Sequence, residues 1–183
     1  MKYNFQFRKM NESETHYALK QIAKYICWNR RYNIIGEEVF CFSTNSLGNK
    51  NVADVIGIKM PRIYGKLDKI KIDTICIEAK QSKQDYYNGF VNSCDLNYVI
   101  TQKGLLTPDE ILPGVGLIEV DFDRLNLHER MDSKCNILDG VETVINAKRN
   151  KDVDFCRIDM LRHVAYRNTV EELFIRHGIG GLK

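Results

Sequence analysis

The chain reads as an α/β sandwich built round a mixed β-sheet. Three features carry that reading: an amphipathic helix near the N-terminus, a run of three β-rich segments separated by turn residues, and a capped helix that leads into two more β-rich segments. The order is α-β-β-β-α-β-β, followed by a C-terminal helical extension.

The first helix is expected over about Glu12–Arg31. Leu19, Ile22, Ala23 and Ile26 recur at the spacing of one buried face, and Asn11 with Glu14 reads as a capping box. Glu12 projects on the apolar side beside Leu19. A hairpin comes next: Glu38–Ser43 is aromatic and β-branched, Thr44–Asn51 has turn chemistry, and Val52–Ile58 returns. Pro61 and Gly65 interrupt the chain before a third strand, Ile70–Lys80. Ser82 and Asp85 cap a helix expected to reach about Cys94, with Phe90, Val91 and Cys94 inward. Strands follow at Asn97–Thr101 and Gly116–Phe122. Beyond these, a short helix is expected near Gly140–Ala147 and a longer amphipathic one over Arg157–His177. The division is a core of residues 1–122 and an extension of residues 123–183 that packs on it, with no role assigned to the latter.

Composition narrows the class. With 183 residues, 44% hydrophobic and 28% charged, the chain suits one buried core and not a disordered or fibrous protein. It has no apolar run near the ~20 residues needed to span a bilayer, and Met1–Met10 has no signal-peptide pattern, so a cytoplasmic protein without membrane contact is expected. The six cysteines stand far apart in apolar surroundings and form no C-x-x-C pair; reduced core thiols fit them better than disulfides or zinc. A net charge of +3 excludes a dedicated nucleic-acid coat. The charge is uneven, however. Residues 1–31 carry seven basic and two acidic side chains, residues 59–83 seven and three, and residues 84–123 one and seven. The basic excess brackets Asp54 in sequence and reaches Lys80.

Two strands carry chemistry. Asp54 interrupts the apolar run Val52–Ile58, where a carboxylate is costly unless paired or coordinated. The third strand ends Thr74-Ile-Cys-Ile-Glu-Ala-Lys80. Its period of two puts Glu78 and Lys80 on one face, about 7 Å apart along the strand. Two carboxylates and a lysine at the ends of neighbouring strands suit a hard divalent cation with a water beside it, the set that phosphodiester hydrolysis needs. The Ala79 carbonyl lies between the two side chains as a further oxygen. Taken alone, a Glu-x-Lys pair at a strand end is commonly a solvated ion pair. The order of elements around it is what favours a site.

Asp54, Glu78-Ala79-Lys80 and the α-β-β-β-α-β order resemble the PD-(D/E)XK nuclease superfamily, whose fold is the restriction-endonuclease-like sandwich. Ala53-Asp-Val-Ile-Gly57 and Ile77-Glu-Ala-Lys-Gln-Ser-Lys-Gln-Asp-Tyr86 look most similar to its MmcB-like repair-nuclease branch, with Tyr86 where that branch has Phe. Asn97–Thr101 and Gly114–Glu119 resemble its later strands. The likeness covers about residues 11–121, and Ala53 replaces the superfamily's proline. It implies Mg²⁺-dependent cleavage of DNA, with Mn²⁺ as a substitute. Asp54, Glu78 and the Ala79 carbonyl would ligate the metal, and Lys80 would orient or activate the attacking water. Gln81, Glu12 and Glu38 are supporting candidates, although a helix N-terminal acid such as Glu12 is also favoured by the dipole alone. Many members act as homodimers, because cutting two strands needs two sites. The second reading is a non-catalytic module of the same fold that binds nucleic acid or protein.

Overall fold

The computed structural model describes residues 13–41, 52–59, 72–125, 139–150 and 164. Its elements are α1 (Glu14–Asn29), β1 (Ile34–Phe40), β2 (Val52–Lys59), β3 (Asp73–Lys80), α2 (Lys83–Tyr87), β4 (Leu96–Gln102), a 3₁₀ turn at Pro108–Glu110, β5 (Gly116–Val120) and β6 (Val141–Ile145). The six strands form one mixed sheet in chain order. Antiparallel pairs join β1 to β2, β2 to β3 and β5 to β6, while β3, β4 and β5 run parallel. This is the mixed-sheet α/β sandwich expected from the sequence.

α1 covers one face. Leu19, Ile22, Ala23 and Ile26 bury against Val55, Ile75, Ile77, Ala79, Tyr98, Ile100 and Ile118, so the expected stripe is the packed one. The opposite face is covered in two parts. Val91, Cys94 and Val164 pack on Val39, Ile56, Ile58 and Cys76; Tyr86, Phe90 and Leu106 pack on Val99 and Leu117. The parallel strands are therefore buried on both sides, which is why they read as continuous apolar runs.

Several boundaries differ from expectation. The helix is capped by Ser13 and not by Asn11: the Ser13 hydroxyl accepts from the His16 N–H at 3.2 Å. β1 begins at Ile34, earlier than expected, because α1 supplies Lys20, Gln21 and Lys24 to the acidic stretch Glu37-Glu38 and makes it tolerable in a strand. α2 stops at Tyr87 and does not reach Cys94. Gly89, at φ 97°, takes the left-handed position that ends a helix, and Phe90, Val91 and Cys94 turn inward from irregular backbone. Residues 141–145 form strand β6, not a helix. Their Val-Glu-Thr-Val-Ile pattern is β-branched, and the edge of β5 gives it a partner. The segment after residue 122 thus supplies the sixth strand. The turn at 44–51 and all but Val164 of the expected last helix lie outside the described residues; Val164 itself is helical and fully buried.

Cys27, Cys41, Cys76 and Cys94 are buried free thiols, and burial pushes the Cys27 and Cys76 thiols upward. Among the described residues no helix is long and apolar enough to cross a membrane.

A surface clip fixes α2 to the loop before β5. Lys83 donates to both Glu110 oxygens at 2.6 and 2.9 Å, while the Tyr87 hydroxyl and the Thr107 N–H also donate to that carboxylate. These donors, Lys83 first, hold the Glu110 carboxyl down at about 2, against its ordinary 4.5. The folded form therefore gains from an ionised Glu110 above about pH 4.5, and that gain disappears as pH falls toward 2. A carboxyl-detected NMR titration should place Glu110 near 2 and return it toward 4.5 in Lys83→Met. An unshifted Glu110 in the parent would contradict the clip.

Candidate active site

The site lies where β2 and β3 part. Their ladder runs from Lys59↔Asp73 to Val55↔Ile77, and the next row would pair Asp54 with Glu78. There the side chains take over from the backbone. The Ala79 N–H donates to Asp54 Oδ2 at 2.9 Å, and the Asp54 N–H donates to Glu78 Oε1 at 3.3 Å. Two carboxylates thus face each other across an opened ladder. In an extended strand the N–H and C=O of one residue point to the same neighbour, so the Ala79 carbonyl opens toward Asp54 as well.

The same row is irregular on β1. Glu37 pairs with Val55 and Val39 with Ala53, leaving Glu38 opposite Asp54 without a ladder pair, at φ 53°. Alternation fails on both strands at this point. Glu37 and Glu38 both reach α1, and Asp54 and Val55 both face it, while Ala53 packs on the other side. Consecutive residues on one face are the mark of a bulge, which re-aims a side chain. Here it swings Asp54 toward α1. A left-handed glutamate is strained backbone of a kind that clusters at functional sites.

α1 meets this row with three polar side chains on successive turns. The Ser13 hydroxyl donates to Gln81 Oε1, His16 Nε2 lies 3.5 Å from Asp54 Oδ2, and Lys20 donates to Glu38 Oε1 at 3.1 Å. Lys20 is almost fully buried. On the opposite side of the sheet Lys80, 1% exposed, donates to the Gly89 carbonyl at 3.0 Å and lies 3.6 Å from both Glu78 and Asp85. The glycine that ends α2 thereby anchors the lysine. Burial works to raise the Asp54 carboxyl, but the His16 bond and charge, Lys80 and the Ala79 N–H outweigh it. Asp54 ends below its ordinary value and is an anion at neutral pH.

The structure brings together Asp54, Glu78, Ala79, Lys80 and Gln81, and it sets Glu38 in the adjoining row with its carboxylate turned to Lys20. Glu12 lies outside the described residues; the α1 residue at Asp54 is His16. Sequence reasoning missed His16 and Lys20. Their signal was present in the spacing, since both fall on the face that carries Leu19 and Ala23, but a polar residue there also suits a helix margin. Asp85 was expected as a cap residue only. It does cap, with its N–H donating to Ser82 at 3.1 Å, and its carboxylate also approaches Lys80. The basic connection after β2 departs from the other end of the sheet. Lys59 lies five residues from Asp54, about 16 Å along the strand, and residues 60–71 are outside the described set. The charge excess that brackets Asp54 in sequence therefore enters the sheet far from it.

The donor set suits a hard divalent cation. Its oxygens are carboxylate and carbonyl, and the bonds listed above for Asp54 engage Oδ2, not Oδ1. Among the described residues no group of three or more His, Cys, Asp or Glu forms a ready cage. Mg²⁺ needs none, since it keeps several waters and commonly binds through one or two carboxylates.

No protein-family model matches the chain, and no curated protein is similar to it. Among solved structures, it is similar to the SPO1766 protein of unknown function from Silicibacter pomeroyi, with a TM-score of 0.52 and 18% identity over 89% of this chain and 94% of that one. At that identity the likeness bears on the fold alone.

Proposed function

We propose that this protein is a Mg²⁺-dependent nuclease that hydrolyses DNA phosphodiester bonds, with the restriction-endonuclease-like fold and closest to the MmcB-like branch of the PD-(D/E)XK superfamily. One observation carries the reading: Asp54 and Glu78 face each other where β2 and β3 part, and Lys80 lies beside Glu78 on the same face. Asp54, Glu78 and the Ala79 carbonyl would hold the cation. A cation there supplies Lewis acidity to the phosphate and lowers the pKa of a water bound to it.

The chain's own residues do the rest. His16 holds Asp54 by Oδ2, which fixes the rotamer and leaves Oδ1 for the ligand. Lys80, pinned by Gly89, offers a fixed ammonium to orient the attacking water and meet the negative charge that grows on the phosphate. Because burial and hydrogen bonding fix it beforehand, little reorganisation is needed at the reacting step. Gln81, tied to Ser13, closes the rim at the N-terminus of α1.

The test joins cleavage to metal binding. Single-stranded, duplex and branched DNA are incubated with Mg²⁺ or Mn²⁺, and Mn²⁺ binding is followed by calorimetry. The expected result is metal-dependent cutting of at least one substrate, with a Mn²⁺ heat that disappears in Asp54→Ala and Glu78→Ala and persists in Lys80→Ala. A heat indifferent to both carboxylates would sink the proposal. Binding of DNA without cutting or metal heat would favour the non-catalytic module.

A further inference from the structure

Among the described residues two buried side-chain oxygens have no hydrogen-bond partner, Ser93 Oγ and Thr101 Oγ1. Ser93 precedes β4, at the end of the sheet away from the carboxylates. Thr101 is different. It is the register partner of Lys80 in the parallel β3–β4 pair, and it is fully buried. Adjacent strands stand about 4.8 Å apart, and in-register neighbours project from the same face. The packing agrees with this. Tyr98 and Ile100 bury against α1 while Val99 packs with Tyr86 and Phe90, so Thr101 falls on the α2 side. Glu78 and Lys80 share that side with Cys76.

A buried hydroxyl without a partner is costly, and valine would fill the same volume in a strand with no such cost. A polar cavity beside an ammonium, by contrast, is where an ordered water is held, provided it has two or more partners. Lys80 has three N–H donors, of which the Gly89 carbonyl takes one.

We propose that Thr101 is a positioning residue of this site, holding with the Lys80 ammonium a buried water that fixes where that ammonium points. The water accepts from Lys80 Nζ and donates to Thr101 Oγ1, so Gly89 sets one direction of the ammonium and Thr101 another. The catalytic part of this inference rests on the proposed nuclease reading. The water does not.

A high-resolution crystal structure of the parent protein should show a water within hydrogen-bond distance of both Thr101 Oγ1 and Lys80 Nζ. It should be missing in Thr101→Val and kept in Thr101→Ser. In cleavage assays Thr101→Val should lower kcat about tenfold with KM unchanged, while melting no lower than the parent. Thr101→Ser should keep kcat within about twofold. Loss of packing alone would instead lower the melting temperature and spare kcat per folded molecule. Absence of the water overturns the proposal, as does a Thr101→Val enzyme with parental kcat, or a serine variant as impaired as valine. If the parent cuts no DNA, the nuclease reading falls, and the water alone decides the placement of Thr101, with no variant required.

Discussion

Glu78→Gln and Lys80→Met are each expected to lower DNA cleavage by roughly 10³-fold or more, the scale seen when one preorganised electrostatic group is removed. That corresponds to about 4 kcal/mol of barrier. The two should differ in stability. Glu78 and Lys80 are each about 1% exposed and lie 3.6 Å apart. Removing the lysine strands a buried carboxylate and deprives the Gly89 carbonyl of its donor, a loss of about 3 kcal/mol. Glutamine at 78 keeps the volume and one acceptor, so the cost is smaller. In the double variant Glu78→Gln/Lys80→Met no buried charge is left unpaired, and stability should return to within about 1 kcal/mol of the parent. Cleavage should not return. Urea denaturation beside single-turnover cleavage reads both quantities. A double variant that regained activity with its stability would show that the pair serves only the fold.

The reason this pair was legible in the sequence, and much around it was not, is physical. Glu78 and Lys80 sit in a regular strand, where a period of two fixes faces without tertiary information. The Val52–Ile58 run was equally plain, with Asp54 conspicuous inside it. What could not be read was the bulged row. Glu38 at φ 53° and the swing of Asp54 toward α1 depend on α1 donating Lys20 and His16, and no local pattern announces a contact between residues 16 and 54. The same holds for β1. Gly36-Glu37-Glu38 reads as a turn until two lysines and a glutamine neutralise it from across the core. α2 was overrun because Phe90, Val91 and Cys94 do point inward, at a spacing that a helix would also give. Gly89 was the contrary signal. β6 needed the free edge of β5, which a linear reading does not supply.

The sheet also divides its work by end. Where the parallel strands finish, polar groups are opened for chemistry; where β3 begins, they are closed into a lock. Asp95 is the centre of that lock. Its carboxylate accepts from the Thr74 N–H and the Thr74 hydroxyl, both at 2.8 Å, and from Arg149 at 3.1 Å, while its own N–H donates to Thr74 Oγ1 at 3.0 Å. Its carbonyl accepts from the Asn150 N–H at 2.8 Å. One residue thus ties the start of β3, the entry to β4 and the chain after β6. Asp95 is 2% exposed and Arg149 about half exposed, so the guanidinium can find water if its partner is lost, but the Thr74 groups cannot.

Asp95→Ala should therefore cost about 3–5 kcal/mol, the range for breaking a buried hydrogen-bonded charge, within a total stability of roughly 5–15 kcal/mol. Asp95→Asn should cost less, because its amide oxygen still accepts from Thr74. Activity should follow the opposite pattern to the Glu78 and Lys80 variants. Lys80 lies seven residues up β3 from Asp73, about 23 Å along the strand, so cleavage per folded molecule should stay near the parental value at a temperature where Asp95→Ala is folded. Chemical denaturation and active-site titration together decide it. If Asp95→Ala were as stable as the parent, the lock would be a solvated contact; if it lost cleavage while folded, the two ends of the sheet would be coupled.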